Sequence, residues 1–183
     1  MKKLVVLIVL LTTTLHAYKL PDKKLIPYQY MDIQEFFVKH HCFLADYKIN
    51  GVLPSEIIRR ECYKNNINPK WVLTRMQVER ETITGHVDGK YFITSHHKKP
   101  LKIVLRECCG YGLCWEYKGH KLNPRRYTSF KNQIKYCAEF MGNNLRKHTI
   151  YATLFLYDPT EDKYDGVELF CQAWYYLFKE DKR

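Results

Sequence analysis

The sequence predicts a mainly helical α+β domain with one small β-hairpin set among the helices. Three observations carry this. The chain has 183 residues, the size of one domain. From residue 31 onward, most apolar residues recur on the 3.6-residue period of amphipathic helices. The exception is a pair of short β-branched and aromatic runs, Thr82–Val87 and Tyr91–Thr94. Asp88-Gly89 sits between them, and this dipeptide suits a tight turn that needs positive φ. No internal repeat or low-complexity segment interrupts the pattern.

The remaining elements are placed around residues 68–79. Asn68 can cap free backbone amides, and Pro69 fits a first helical position because its missing N–H would be unpaired there anyway. On the helical period, Val72, Met76, Glu79 and Ile83 share a face that is apolar except for Glu79. A carboxylate in an apolar stripe is costly unless protonated or paired, and a transferable proton is what a general acid needs. The plainer alternative is a residue at a helix end that reaches water.

Before that helix, Tyr18–Tyr30 reads as an extended lead-in, Met31–Tyr47 as a helix, Asn50-Gly51 as a turn, and a span from about Ser55 to Lys64 as a second helix. After the hairpin, His96–Lys102 is basic and reads as exposed. Leu101–Cys109 forms a helix that stops at Gly110, where Gly110-Tyr111-Gly112 lets the backbone approach a ligand or another segment closely. Ser129 caps a long helix with Phe130, Ile134, Cys137, Ala138, Met141 and Leu145 on one stripe. Ile150–Leu156 leans to helix, Asp158–Gly166 is a loop, and Val167, Phe170, Cys171, Trp174, Leu177 and Phe178 mark a last amphipathic helix.

Residues 1–17 have the form of a cleaved secretory signal: Lys2 and Lys3, the apolar run Leu4–Leu11, and Leu15-His16-Ala17 before the cut. The run is shorter than the roughly 20 residues that span a bilayer. An uncleaved anchor is the alternative. The expected mature domain is 18–183, secreted or periplasmic. Removing two lysines lowers the formal charge from +11 to +9. That excess suits an anionic partner, but no dense cationic block points to nucleic acid. In an exported chain, seven cysteines imply disulfides, at least two of them, and the odd count leaves one thiol over. Cys137 and Cys171 both lie on apolar helix faces and are candidates to meet. Zinc at His40-His41-Cys42 or Cys109…Cys114 is a weaker alternative without paired C-x-x-C motifs. His40 itself reads as a core-edge residue.

Several stretches, taken together, resemble the lysozyme superfamily, in the branch of soluble lytic transglycosylases and goose-type lysozymes. INPKWVLTRMQVERETIT is similar to its catalytic helix, with Gln77 and Glu79 in the Gln-x-Glu places. FFVKHHCFLADYKINGVLPSEIIRRECYKNN resembles the helical lead-in of secreted bacterial members, and CCGYGLC their Gly-Tyr-Gly segment. YTSFKNQIKYCAEFM resembles the following helix, with Asn132 and Gln133. IYATLFLYDPT resembles a late motif whose tyrosine, here Tyr157, lies near the catalytic Glu. The resemblance covers most of the mature chain in order. Arg80 departs from it, standing where transglycosylases usually carry Ser, and Gly-Tyr-Gly replaces a Gly-Leu-Met-Gln segment.

The resemblance implies a lysozyme-like fold and cleavage of the β-1,4 bond between N-acetylmuramic acid and N-acetylglucosamine, with Glu79 as general acid and base. Tyr157 would orient Glu79 or steady charge, Tyr111 would stack on a sugar, and Gln133 and Asn132 would bind sugar amides. Each also has a purely structural reading, and Gln77, on another helix face, is expected to be structural. A hydrolase by inversion needs a second carboxylate. Asp88 sits at a hairpin tip, Glu81 should point to another helix face, and Glu107 is the remaining candidate. Without one, attack by the sugar's own C6 hydroxyl gives the 1,6-anhydro product of a lytic transglycosylase, the preferred expectation. A muramidase is the alternative, and a glucosaminidase cut a lesser one. A catalytically silent wall-binding protein or adhesin is the rival of another class. A cysteine peptidase lacks a cysteine at a helix start with a partnered histidine. The expected partners are peptidoglycan glycan strands, with no nucleic acid and at most peripheral membrane contact. No metal or cofactor is expected.

Overall fold

The computed structural model of the protein describes residues 20–110, 129–157 and 165–179, with the side chains of 155–157 and 165 left out. Those residues form a mainly helical α+β fold with one small sheet. Its helices are α1 (Ile33–Lys39), α2 (Pro54–Lys64), α3 (Pro69–Arg80), α4 (Leu101–Glu107), α5 (Phe130–Lys147), α6 (Ile150–Tyr157) and α7 (Asp165–Phe178). The sheet lies between α3 and α4 and has the order β1 (His86–Asp88), β2 (Tyr91–Ile93), β3 (Lys98–Pro100), all antiparallel.

The central helix starts as its sequence dictates. The Asn68 side chain accepts from Lys70 N at 3.0 Å, and Pro69 occupies the first turn. Val72, Met76 and Ile83 are fully buried, as the stripe predicts. The enclosure goes further, since Trp71, Leu73, Thr74 and Arg75 are buried too. α3 is therefore surrounded, with α2, α4, α5 and α7 packed against it. Trp71 fixes the α7 side, its ring 5.5 Å from Phe170 and 5.0 Å from Trp174. Its indole N–H donates to Leu25 O at 3.3 Å, which ties the lead-in to the core. Aromatic side chains of this size each remove roughly 150–250 Å² from water, so this cluster holds α7 firmly on α3.

Three elements differ from the sequence expectation. The Met31–Tyr47 helix stops at Lys39, and a short 3-10 turn follows at Phe43–Ala45. His41 takes φ 50°, Cys42 N bonds to Phe37 O and His41 N to Val38 O, which closes the helix in a Schellman motif. The apolar stripe runs on through Phe43 and Leu44 because both still face the core, off the helix. The first strand begins at His86, not Thr82. Asp88 pairs with Tyr91, so the two-residue loop is Gly89-Lys90, with Gly89 at φ 57° in its first position, the arrangement of a II′ hairpin. The segment 98–100, read as exposed and basic, is a third strand, with Tyr91 opposite Pro100 and Ile93 opposite Lys98. Phe92, fully buried and 5.4 Å from the Phe43 ring, pins the sheet to the helices.

Among the described residues no helix is long and apolar enough to cross a membrane. All six described cysteines are buried, and no disulfide joins them to one another. Cys137 lies beside Cys62 and Cys109, so the expected meeting of Cys137 with Cys171 gives way to a cluster from α2, α5 and the turn after α4. Cys114 lies outside the described residues. Burial pushes the Cys42 thiol up to about 12 and Cys171 to about 11.

Candidate functional site

Glu79 sits in the last turn of α3, its side chain 17% exposed. One turn earlier on the same side, Arg75 is 2% exposed and its Nη2 donates to Glu79 Oε1. The i,i+4 spacing makes the two neighbours on the helix. A carboxylate that seemed unpaired in its apolar stripe thus has a buried guanidinium as partner. Any group of a substrate that reaches Glu79 must compete with Arg75 for it.

Gly110 closes the other side of the carboxyl group. Its φ is 63°, and a Cβ built on it would overlap the Glu79 carboxyl atoms. The close approach expected of the Gly-Tyr-Gly segment is therefore made by Gly110, and what it approaches is Glu79. The contact is held by Arg80. Its Nε and Nη2 donate to Glu107 Oε2 at 3.1 and 2.7 Å, and its Nη1 to Glu79 O at 2.9 Å. Gly110 N in turn donates to Glu107 O at 2.8 Å. Arg80 thus fastens the end of α4, and with it Gly110, to the end of α3.

Glu81 does not continue along the helix. It caps α3 at φ 49°, a left-handed conformation uncommon for a side chain of this kind, which turns it off the helix path. Its carboxylate accepts from Ser95 Oγ at 3.4 Å and lies 3.7 Å from His96 Nε2. It lines a groove of about 550 Å³ between the last turn of α3, the loops that carry Thr84 and His96 beside the sheet, and α7. Gln77, Thr84, Gln172 and the half-exposed ring of Tyr176 line the same groove. The expectation that Glu81 points to an unrelated helix face is corrected by this backbone turn. Gln77 donates from Nε2 to Thr84 Oγ1 at 2.9 Å and also lines the groove. Glu79 is not among the lining residues; its carboxyl group is turned to Arg75 and Gly110.

The other candidates separate. Glu107 is paired with Arg80, and Asp88 is exposed at a strand end, so neither faces the groove. Gln133 is fully buried in α5, which removes it from an open sugar site. Asn132 is half-buried, and its backbone N–H donates to the capping Ser129 Oγ at 3.2 Å. Tyr111 lies outside the described residues, and Tyr157 is described only as the last residue of α6. His40 stacks on Phe36 at 4.3 Å, and burial followed by the Lys39 charge lowers its pKa, as suits a core-edge histidine. Cys42 Sγ donates to Thr82 O at 3.3 Å, apart from any metal cage. Among the described residues no group of three or more His, Cys, Asp or Glu side chains is placed to hold a metal ion. No family model, curated protein or solved structure matches this chain.

Sequence reading missed Arg75, although its i,i+4 distance from Glu79 was available as a signal. It also missed that Glu81 enters the groove, which nothing short of the backbone turn at the helix end reveals.

Proposed function

We propose that this protein cleaves peptidoglycan glycan strands as a lytic transglycosylase, with Glu79 as the general acid and base. The observation that supports the reading is the setting of Glu79. A partly withdrawn carboxylate is held between a buried guanidinium and a glycine whose missing Cβ makes room for it. In the reaction, protonated Glu79 gives its proton to the departing glycosidic oxygen between N-acetylmuramic acid and N-acetylglucosamine. The resulting carboxylate takes the proton of the C6 hydroxyl as that oxygen bonds to C1, which yields the 1,6-anhydro end and restores the acid. Arg75 acts as a positioning residue, and the amide of Gln172 in the groove offers a partner to a sugar N-acetyl group.

Glu81 favours a second reading, a muramidase. Glu81 is a carboxylate in the groove, next to Ser95 and His96, and in this reading it supplies the second carboxylate that inversion requires to activate water. The silent wall-binding protein treats the Arg75–Glu79 pair as a structural ion pair only.

Digestion of purified peptidoglycan by wild type, Glu79→Gln and Glu81→Gln separates these. Loss of general acid catalysis lowers turnover by at least roughly a hundredfold in Glu79→Gln. The amide also weakens the Arg75 pair, so a thermal melt must show that the variant is folded at the assay temperature. Anhydromuramic ends with Glu81→Gln active support the transglycosylase; reducing muramic ends with Glu81→Gln inactive support the muramidase. A folded Glu79→Gln protein as fast as wild type removes both, and a wild type that releases nothing leaves the wall-binding protein.

A further inference from the structure

Neither Arg80 nor Glu107 lines the groove, and the reaction proposed above gives neither a step. We propose that this ion pair is a positioning device that sets where the Glu79 carboxyl stands, by holding Gly110 against it. Its effect on turnover rests on Glu79 being the acid; its effect on the place of the carboxyl does not.

The contacts form a closed circuit. The Glu79 carbonyl accepts from Arg80 Nη1 at 2.9 Å, and Arg80 Nε and Nη2 donate to Glu107 Oε2 at 3.1 and 2.7 Å. The Glu107 carbonyl accepts from Gly110 N at 2.8 Å, and the bare backbone of Gly110 meets the Glu79 carboxyl. The circuit begins and ends on one residue, so it fixes the Glu79 side chain relative to its own backbone. Behind this turn, Cys108 and Cys109 are fully buried and anchor it to the core. The Arg80–Glu107 pair fastens it on the open side, with side chains 20% and 25% exposed. Without that fastening the carboxyl keeps Arg75 but loses its opposite wall.

The same bonds speak against a direct part in the chemistry. The Nε–Nη2 edge of a guanidinium is the fork that grips an anion, and here it is already on Glu107. Glu107 Oε2 is likewise taken, which suits a strut better than a base that activates water. A partly exposed pair adds little to stability, whereas about 1 Å of misplacement at a reacting group can slow it about a hundredfold. A positioning pair therefore shows a large effect on turnover beside a small one on melting.

Arg80→Ala, Glu107→Ala, Glu107→Gln and the double Ala variant test this in the full chain. Arg60→Ala, which breaks the Arg60–Glu61 pair on α2, is the control. The first readout needs no reaction: modification of the Glu79 carboxyl by a water-soluble carbodiimide and an amine, located by peptide mass spectrometry. It should quicken about threefold or more in each single Ala variant, because a local contact has opened. The second is digestion of soluble peptidoglycan fragments. In both single Ala variants kcat should fall about tenfold or more, with KM changed less than about threefold. Melting should drop by less than about 4 °C. The double variant should be no worse than the slower single one, since both remove one clamp. Glu107→Gln keeps an oxygen for Arg80 and should lose less than Glu107→Ala, and Arg60→Ala should match wild type in both readouts. Unchanged labelling of Glu79 in both single Ala variants, additive losses in the double, a loss confined to Arg80→Ala, or a rise in KM at constant kcat would each overturn the assignment. If Glu79→Gln digests as fast as wild type, or wild type digests nothing, the proposed reaction falls, and the labelling alone decides for or against the clamp.

Discussion

Gly110 joins a backbone requirement to a site requirement at one residue. Its φ of 63° costs an L side chain about 1–2 kcal/mol, and any Cβ there meets the Glu79 carboxyl. Gly110→Ala should therefore lower stability by at least about 1–2 kcal/mol and push Glu79 away from Arg75. A domain with the usual 5–15 kcal/mol of stability remains folded at 25 °C after such a loss. If Glu79 carries the reaction, the folded variant should digest peptidoglycan at least about tenfold more slowly, with the loss in kcat. Full activity in a variant whose melting temperature has dropped as expected would separate Gly110 from the chemistry and leave it a packing glycine. In the sequence, Gly110-Tyr111-Gly112 showed that something comes close. What comes close was not legible, because the two residues meet through the tertiary clamp between Arg80 and Glu107.

At the scale of elements, α3 shows how far local chemistry carries. Asn68 caps it, donates from its side-chain amide to Gln29 Oε1 at 3.0 Å, and donates from its backbone N–H to Ile26 O at 3.0 Å. The cap and the lead-in are thus one structure. Asn68→Ala removes both side-chain bonds and should cost about 1–2 kcal/mol, which in a chain of this size lowers the melting temperature by about 2–4 °C per kcal/mol. Asn68→Asp keeps the acceptor for Lys70 N and should recover most of the cap but not the bond to Gln29. A melt in which Ala and Asp variants lose equally would show that the tether to the lead-in dominates. The elements with local stop and start signals were legible: α3 behind Asn68-Pro69 and α5 behind Ser129. Those fixed by tertiary pairing were not. β3 is two lysines and a proline, an edge strand whose charge protects it from further pairing and hides it from a pattern of alternating apolar residues. α1 stops at Lys39 and is closed by His41 without the glycine that ordinarily marks such a turn, while its apolar stripe carries on.

For the whole molecule, the seven cysteines pose a question that crosses every element. Periodicity showed that Cys137 and Cys171 face inward, but an inward face does not say which neighbour it meets. Packing of α5 against α2 brings Cys137 to Cys62, and the turn after α4 brings Cys109 to the same place. Thiolate, not thiol, is the reactive form, and burial pushes Cys62 and Cys109 well above their usual range, as it does Cys42 and Cys171. Reduced, folded protein should therefore alkylate slowly at pH 8 at all six described cysteines, and quickly once denatured. Protein recovered from an oxidising compartment should behave differently. Mass measured before and after reduction should show at least two disulfides, and peptide mapping should place at least one of them within the group Cys62, Cys108, Cys109 and Cys137. Those four thiols are neighbours before any bond forms, so oxidation there closes a core already in place. Rapid native labelling of Cys42 or Cys171 would contradict the burial, and a mapped Cys137–Cys171 bridge would contradict the packing of α5. Seven free thiols after export would contradict the compartment that the first seventeen residues predict.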